Sequence, residues 1–140
     1  KLILKRFENF DSKNPIESFK KLWRDEEKFI SHIYKRKGLG HITDEYDYLE
    51  KTLKCLANTK KIDIAIYQKS WNNIYYEAKT ESWAVIFNES GELMTSYKIE
   101  TNMPHFQEVH KNANIFKKGV ENGLQRDFEK IYNTFKNNTK

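Results

Sequence analysis

The chain has 140 residues, 38% of them hydrophobic and 14% aromatic, enough apolar surface to close one core and to exclude wholesale disorder. Lys and Arg number 25 against 20 Asp and Glu, a formal charge of +5 that favours polyanionic partners and makes any nucleic-acid contact salt-dependent. No window approaches the ~18 consecutive apolar residues of a spanning helix, so no membrane partner is expected. A single cysteine, Cys55, excludes an intramolecular disulfide framework and a cysteine-based zinc site. The chain opens at Lys1 with neither a start methionine nor a targeting pattern, and so reads as a piece of a longer protein.

In chain order, Asn14-Pro15-Ile16-Glu17 is a helix start, with Asn14 as cap and Pro15 at the first helical position. Phe19, Leu22, Trp23, Ile30 and Ile33 then recur with a helical period until Gly38 and Gly40 stop the helix. Thr43 reads as the cap of a second helix that carries Tyr46, Leu49, Leu53 and Leu56 on one stripe. From Ile62 the period falls to two. Strands are predicted through Ile62, Ile64 and Ile66, briefly at Ile74-Tyr75-Tyr76, and at Trp83-Ala84-Val85-Ile86-Phe87. A partner strand follows through Leu93, Thr95, Tyr97 and Ile99 across a turn at Asn88-Glu89-Ser90-Gly91, which makes an antiparallel hairpin. After Met103-Pro104, the residues Val120, Leu124, Phe128, Ile131 and Phe135 return to helical spacing, with a frayed end at Asn137-Asn138-Thr139-Lys140. Helices and strands are segregated, which predicts one α+β domain whose N-terminal helices pack on a twisted antiparallel sheet. Its parts fall at about 14–58 for the helices, about 62–100 for the sheet and about 115–136 for a C-terminal helix.

The stretch His32-Ile33-Tyr34-Lys35-Arg36-Lys37-Gly38-Leu39-Gly40-His41-Ile42 is the richest in chemistry. It puts His32 near a helix end and His41 just past a glycine-bounded loop, with three cations between them. This suits metal-free RNA cleavage. One imidazole takes the proton of the ribose 2′-hydroxyl and the other protonates the leaving 5′-oxygen, while Lys35, Arg36 and Lys37 hold the phosphate. Thr95 and Tyr97, two apart on a strand, share one face and can donate to that phosphate. Trp71, Tyr75 and Tyr76 are candidates to stack on bases. Each feature also has an ordinary structural role: a histidine on a helix dipole, a solvated Lys-Arg-Lys face, or aromatic rings packed in a core. The pair His105 and His110 has i,i+5 spacing, wrong for two ligands on one helical face, and no metal or cofactor motif is present, so neither group is expected.

The order of elements and the motifs His32-Ile33-Tyr34…Gly40-His41-Ile42, Asp63, Tyr75-Tyr76 and Trp83-Ala84-Val85-Ile86-Phe87…Gly91-Glu92-Leu93-Met94-Thr95-Ser96-Tyr97 resemble the barnase/EndoU/colicin/RelE-like ribonuclease superfamily. Within it, they look like the C-terminal toxin domains of contact-dependent inhibition and other polymorphic toxin systems. The likeness covers roughly residues 28–100. It implies a metal-independent endoribonuclease without cofactors that cleaves RNA, tRNA foremost, on the concave face of the sheet. By this resemblance His32 and His41 match the helix-borne and loop-borne histidines, Lys35 or Arg36 the following basic position, and Thr95 and Tyr97 a Thr-x-aromatic motif. Some members carry a Lys-His pair where this chain has Lys35-Arg36, and the histidine spacing differs slightly in others.

The resemblance further implies a cognate immunity protein, often acidic, and in some relatives a translation factor such as elongation factor Tu. The parent would be a secreted or cell-surface bacterial protein whose C-terminal fragment acts in the cytoplasm of a target cell. Two other readings stay open: a non-catalytic basic nucleic-acid-binding domain, which leaves its substrate intact, and an immunity or adaptor protein, which the +5 charge disfavours.

Overall fold

A computed structural model describes residues 6, 9–11, 13–59, 62–67, 74–88, 90–99, 113–116 and 124–138. They form three N-terminal helices, α1 (Pro15–Leu22), α2 (Glu26–Gly38) and α3 (Glu45–Asn58). Four strands follow, β1 (Ile62–Tyr67), β2 (Ile74–Lys79), β3 (Trp83–Asn88) and β4 (Leu93–Lys98). A fifth strand, β5 (Ala113–Phe116), precedes the last helix, α4 (Leu124–Asn138). The strands make one antiparallel sheet in the order β4-β3-β2-β1-β5. The α+β class predicted from the pattern is thus the observed one.

The single helix expected from Asn14 to Gly38 is two. Trp23 is extended at φ −79° and ψ 153°, and it bridges to Leu93 of β4, while the Arg24 amide donates to the Leu93 carbonyl at 3.1 Å. Asp25 then starts α2 afresh, its carboxylate accepting the Lys28 amide at 2.7 Å. Two more caps differ from expectation. Asn14 makes no side-chain cap bond, because its side-chain amide donates to Asp11 at 3.1 Å instead. Thr43 yields to Asp44, whose carboxylate accepts the Asp47 amide at 2.8 Å. Tyr46 lies off the buried stripe of α3, which runs through Tyr48, Leu49, Thr52, Leu53 and Leu56.

The C-terminal part also departs from the predicted bounds. Residues 113–116, placed between the sheet and a helix starting near 115, pair with β1, so the sheet extends past residue 100 and the helix begins at Leu124. Ladder bonds along the free edge of β1 outweigh the weak helical spacing there. The expected frayed end is helical through Asn138.

Helices α1, α3 and α4 cover one face of the sheet. Phe19, Leu22, Tyr48, Leu49, Leu53 and Leu56 meet Val85 and Phe87 of β3, and Phe128 and Phe135 of α4 join them. On the opposite face Ala84, Ile86 and Tyr97 form a smaller buried group, flanked by Tyr75, Met94 and Ile99. Strand alternation separates the two sets, odd and even residues of β3 pointing to opposite sides.

Cys55 lies under α3 with its sulfur 3.3 Å from the Trp83 carbonyl and 3.6 Å from that of Ala78. Burial pushes its thiol up from 9.0 to about 12. The folded state therefore keeps the proton longer than the unfolded chain, and this stability is present below pH 9 and lost as pH rises towards 12. Tyr48 and Tyr97 shift in the same direction from 10.0, so they add to the loss as pH nears 10, and Cys55 dominates only at the lower end of the range. Urea unfolding is expected to show a loss by pH 10 to which the thiol contributes about 1.4 kcal/mol, and Cys55→Ala removes that part. Parallel decline in the two proteins would exclude the thiol as its source.

Candidate active site at the edge of the sheet

Strand β4 is an edge strand with one irregularity that decides which side chains share a face. Ile86 pairs with Thr95 but Phe87 pairs with Leu93, so Met94 is an extra residue, a β-bulge. Leu93 therefore stays in the helix-facing core while Thr95 and Tyr97 point to the opposite face with Ile86 and Ala84. The predicted alternation through Leu93, Thr95 and Tyr97 is corrected at Leu93, because the bulge breaks the period. The register also aligns Glu77, Ile86 and Thr95 in one cross-strand row. Glu77 is a buried carboxylate whose Oε1 is 3.8 Å from Lys79 Nζ.

Helix α2 runs along the β4 edge, and its residues 32 and 36, one turn apart, face that strand. Arg36 is only 1% exposed. Its Nε donates to the Ser96 carbonyl at 3.1 Å, its Nη2 donates to Thr95 Oγ1 at 3.3 Å, and its guanidinium carbon lies 5.9 Å from the centre of the Tyr97 ring. Its Nη1 has no hydrogen-bond partner among the described residues. Desolvation holds its pKa below the usual guanidinium value, opposed by the Tyr48 and Tyr97 phenols, yet a guanidinium remains charged at neutral pH. A position in the last turn of α2 gives it the negative end of the helix dipole.

Thr95 Oγ1, the acceptor for Arg36, also lies 3.3 Å from His32 Nδ1. The half-buried His32 ring rests 5.3 Å from that of Trp23, which sits in the break between α1 and α2. Tyr97 is fully buried, and its phenol is pushed up by burial first and by the Glu77 carboxylate second, so it is a neutral O–H at physiological pH.

The predicted site residues thus separate. His32, Arg36, Thr95 and Tyr97 come together. His41 is joined to them through its backbone: the end of α2 is a Schellman turn in which the His41 amide donates to the Arg36 carbonyl and the Gly40 amide to that of Lys37, both at 3.0 Å. Gly40 at φ 76° is the left-handed residue this turn requires. Lys35 and Lys37 are exposed and face away from the cluster, and Lys37 lines a cavity of about 600 Å³ between α1, α2 and the start of α3. Tyr75 packs against the Ala84, Ile86 and Tyr97 group, but Tyr76 points into the main core and stacks on Phe87 at 5.4 Å and 11°. Trp71, His105 and His110 lie outside the described residues.

Sequence reasoning passed over Glu77, Tyr48 and Ser96. Glu77 carried a signal, as an acid two residues from Tyr75 in a strand otherwise rich in apolar side chains. Tyr48 carried none, since a tyrosine on a buried helical stripe reads as core.

The fold is an α+β arrangement with a polar cluster where a helix meets the edge of its sheet. The chain belongs to the family described as "Uncharacterised protein aq_aa01", which it matches over residues 13–136. It is similar to the "Uncharacterized protein aq_aa01" of Aquifex aeolicus (strain VF5), 37% identical over 73 residues, 51% of this chain and 53% of that protein. The aligned part spans about half the length of that relative. Neither description names an activity, and no solved structure matches the chain.

Burying Arg36 among neutral partners costs folding free energy that Arg36→Met removes, and the Ser96 carbonyl keeps Tyr48 as a donor after the change. Thermal unfolding of Arg36→Met is expected at or above the wild-type temperature. A loss beyond about 2 kcal/mol would instead identify the guanidinium as a structural anchor.

Proposed function

We propose that this chain is a metal-independent endoribonuclease of the toxin type. It acts by attack of a ribose 2′-hydroxyl on the adjacent phosphodiester, leaving a 2′,3′-cyclic phosphate and a free 5′-hydroxyl. The observation that carries the reading is the chain His32 Nδ1–Thr95 Oγ1–Arg36 Nη2, both links 3.3 Å, which sets a titratable imidazole beside a buried guanidinium. Arg36 can only donate and stays charged, so it supplies the fixed positive charge that a phosphorane transition state requires. His32 moves a proton, and His41, whose backbone amide the Schellman turn ties to the Arg36 carbonyl, is the second acid–base group in this reading. Thr95 orients the phosphate through its hydroxyl, Tyr97 backs the Arg36 guanidinium with its buried ring, and Tyr75 offers a ring on the same face. Lys35 and Lys37, exposed on other faces of α2, attract the polyanion at a distance rather than touch the reacting group.

The substrate is RNA, tRNA foremost, and the chain acts in the cytoplasm of a target cell after release from a secreted or surface bacterial parent. A cognate immunity protein neutralises it, and a translation factor such as elongation factor Tu assists it. A surface for such a partner has support. All four large hydrophobic side chains left exposed among the described residues lie close together in the chain: Ile30 and Tyr34 on α2, Leu39 at its C-cap and Tyr46 in the first turn of α3. Tyr34 is 79% exposed, and a gathering of this kind is typical of a docking face.

Incubation of the purified chain with total bacterial RNA in excess EDTA, with and without cell extract, tests the reading. Discrete fragments ending in cyclic phosphate are expected, and His32→Ala and His41→Ala should each slow their appearance by about 10²–10⁴-fold. RNA that is bound but recovered intact, even with extract present, would sink the enzyme in favour of a nucleic-acid-binding module.

A further inference from the structure

Ser96 sits between the two strand residues of the site, and its two polar ends face different layers. Its side chain points into the helix-facing core. There Trp83 Nε1 donates to Ser96 Oγ at 2.7 Å, and Thr52 Oγ1 lies 2.7 Å away. Thr52 already gives its only proton to the Tyr48 carbonyl at 2.8 Å, so the Ser96 hydroxyl donates to Thr52 and is fully used. The carbonyl of Ser96 points off the strand edge and accepts twice, from Arg36 Nε at 3.1 Å and from the Tyr48 hydroxyl at 2.6 Å.

Resting on the nuclease reading above, we propose that Tyr48 is a positioning residue for Arg36. A guanidinium is planar, so fixing Nε against one carbonyl fixes the directions of Nη1 and Nη2. The direction of that carbonyl is in turn set by Tyr48. Its ring is fully buried and packed edge-on or tilted against Phe19, Trp23 and Trp83 at centroid distances of 5.8, 5.8 and 6.3 Å. The phenol therefore has one stable place for its proton, the Ser96 carbonyl, and Arg36 takes the remaining lone pair. Helix α3, which contributes no group to the reacting centre, thus orients the cation on α2 through the Ser96 carbonyl that both side chains share and through the phenol beside the guanidinium.

The two ends of Ser96 separate this role from stability alone. Ser96→Ala removes the partner of Trp83 and Thr52 but keeps the carbonyl. It is expected to unfold several degrees lower, with RNA turnover within about twofold of wild type. Tyr48→Phe keeps the ring and drops the donor. It is expected to lose about tenfold or more in turnover with little change in substrate affinity, and to regain it when the position carries p-aminophenylalanine, which restores a donor. The Arg36 Nε–H resonance reports the same bond without any enzymatic assay. It should stay slowly exchanging in Ser96→Ala, and shift and exchange about tenfold faster in Tyr48→Phe. An Arg36 resonance unmoved by Tyr48→Phe overturns the proposal, whatever the RNA assay gives. Absence of cleavage by the wild-type chain removes the nuclease reading and its turnover arm, leaving the resonance to decide on Tyr48.

Discussion

The free edge of β4 is the constraint from which the arrangement of the site follows. An edge strand leaves backbone groups without ladder partners, and these must be satisfied or exposed. Here the edge is closed by other means than a further strand. The Leu93 carbonyl takes the Arg24 amide at the point where α1 breaks into α2, and the Ser96 carbonyl takes Arg36 and Tyr48. Closing the edge with side chains from α2 brings His32 and Arg36 against the strand, because they are the two positions of that helix face one turn apart. Without the break at Trp23, α1 and α2 would continue as one rod, and residue 36 would not be steered to the edge. The interruption of the helix and the location of the site share one cause.

The bulge at Met94 completes the geometry. It lets Leu93 remain in the helix-facing core, where the bridge to Trp23 needs it, and still turns Thr95 and Tyr97 to the other face. A regular strand would force a choice between the two, since a shift by one residue exchanges every side chain between faces. Bulges recur beside active sites for this reason. The site is accordingly built where the sheet is least regular, while β2 and the rest of β3 follow simple alternation.

How far all of this was legible in the sequence depends on whether local pattern or tertiary contact decided each feature. Class and element order were legible because Ile62 to Ile66, Trp83 to Phe87 and the stripe of α3 carry clear periods. The break at Trp23 was not, since Phe19, Leu22, Trp23, Ile30 and Ile33 fit one helical stripe. What ends α1 is a backbone bond from Arg24 to Leu93, on a strand far along the chain. The fifth strand was missed for the same reason, as Ala113–Phe116 is a strand only because β1 offers it a ladder. At the site, the pairing of Thr95 with Tyr97 was readable from their spacing, but their separation from Leu93 was not, because no residue type announces a bulge. Glu77 was readable as an acid in an apolar strand and was passed over.

The run Lys35-Arg36-Lys37 shows why charge counting alone misplaces chemistry. On a helix, successive residues are about 100° apart, so three adjacent cations cannot serve one point. Two remain in water, where their field is screened and their contribution is one of attraction. The third is taken out of water, loses most of its solvation, and is given neutral acceptors on one side and an aromatic ring on another. A buried guanidinium held this way is worth little as a stabilising contact, since an apolar side chain of similar volume often serves the fold as well. Its place beside a histidine and two hydroxyls closes the β4 edge and also supports the anion-binding role proposed for it. The same argument ranks the candidates by burial rather than by number, placing Arg36 first among three cations that look identical in the sequence.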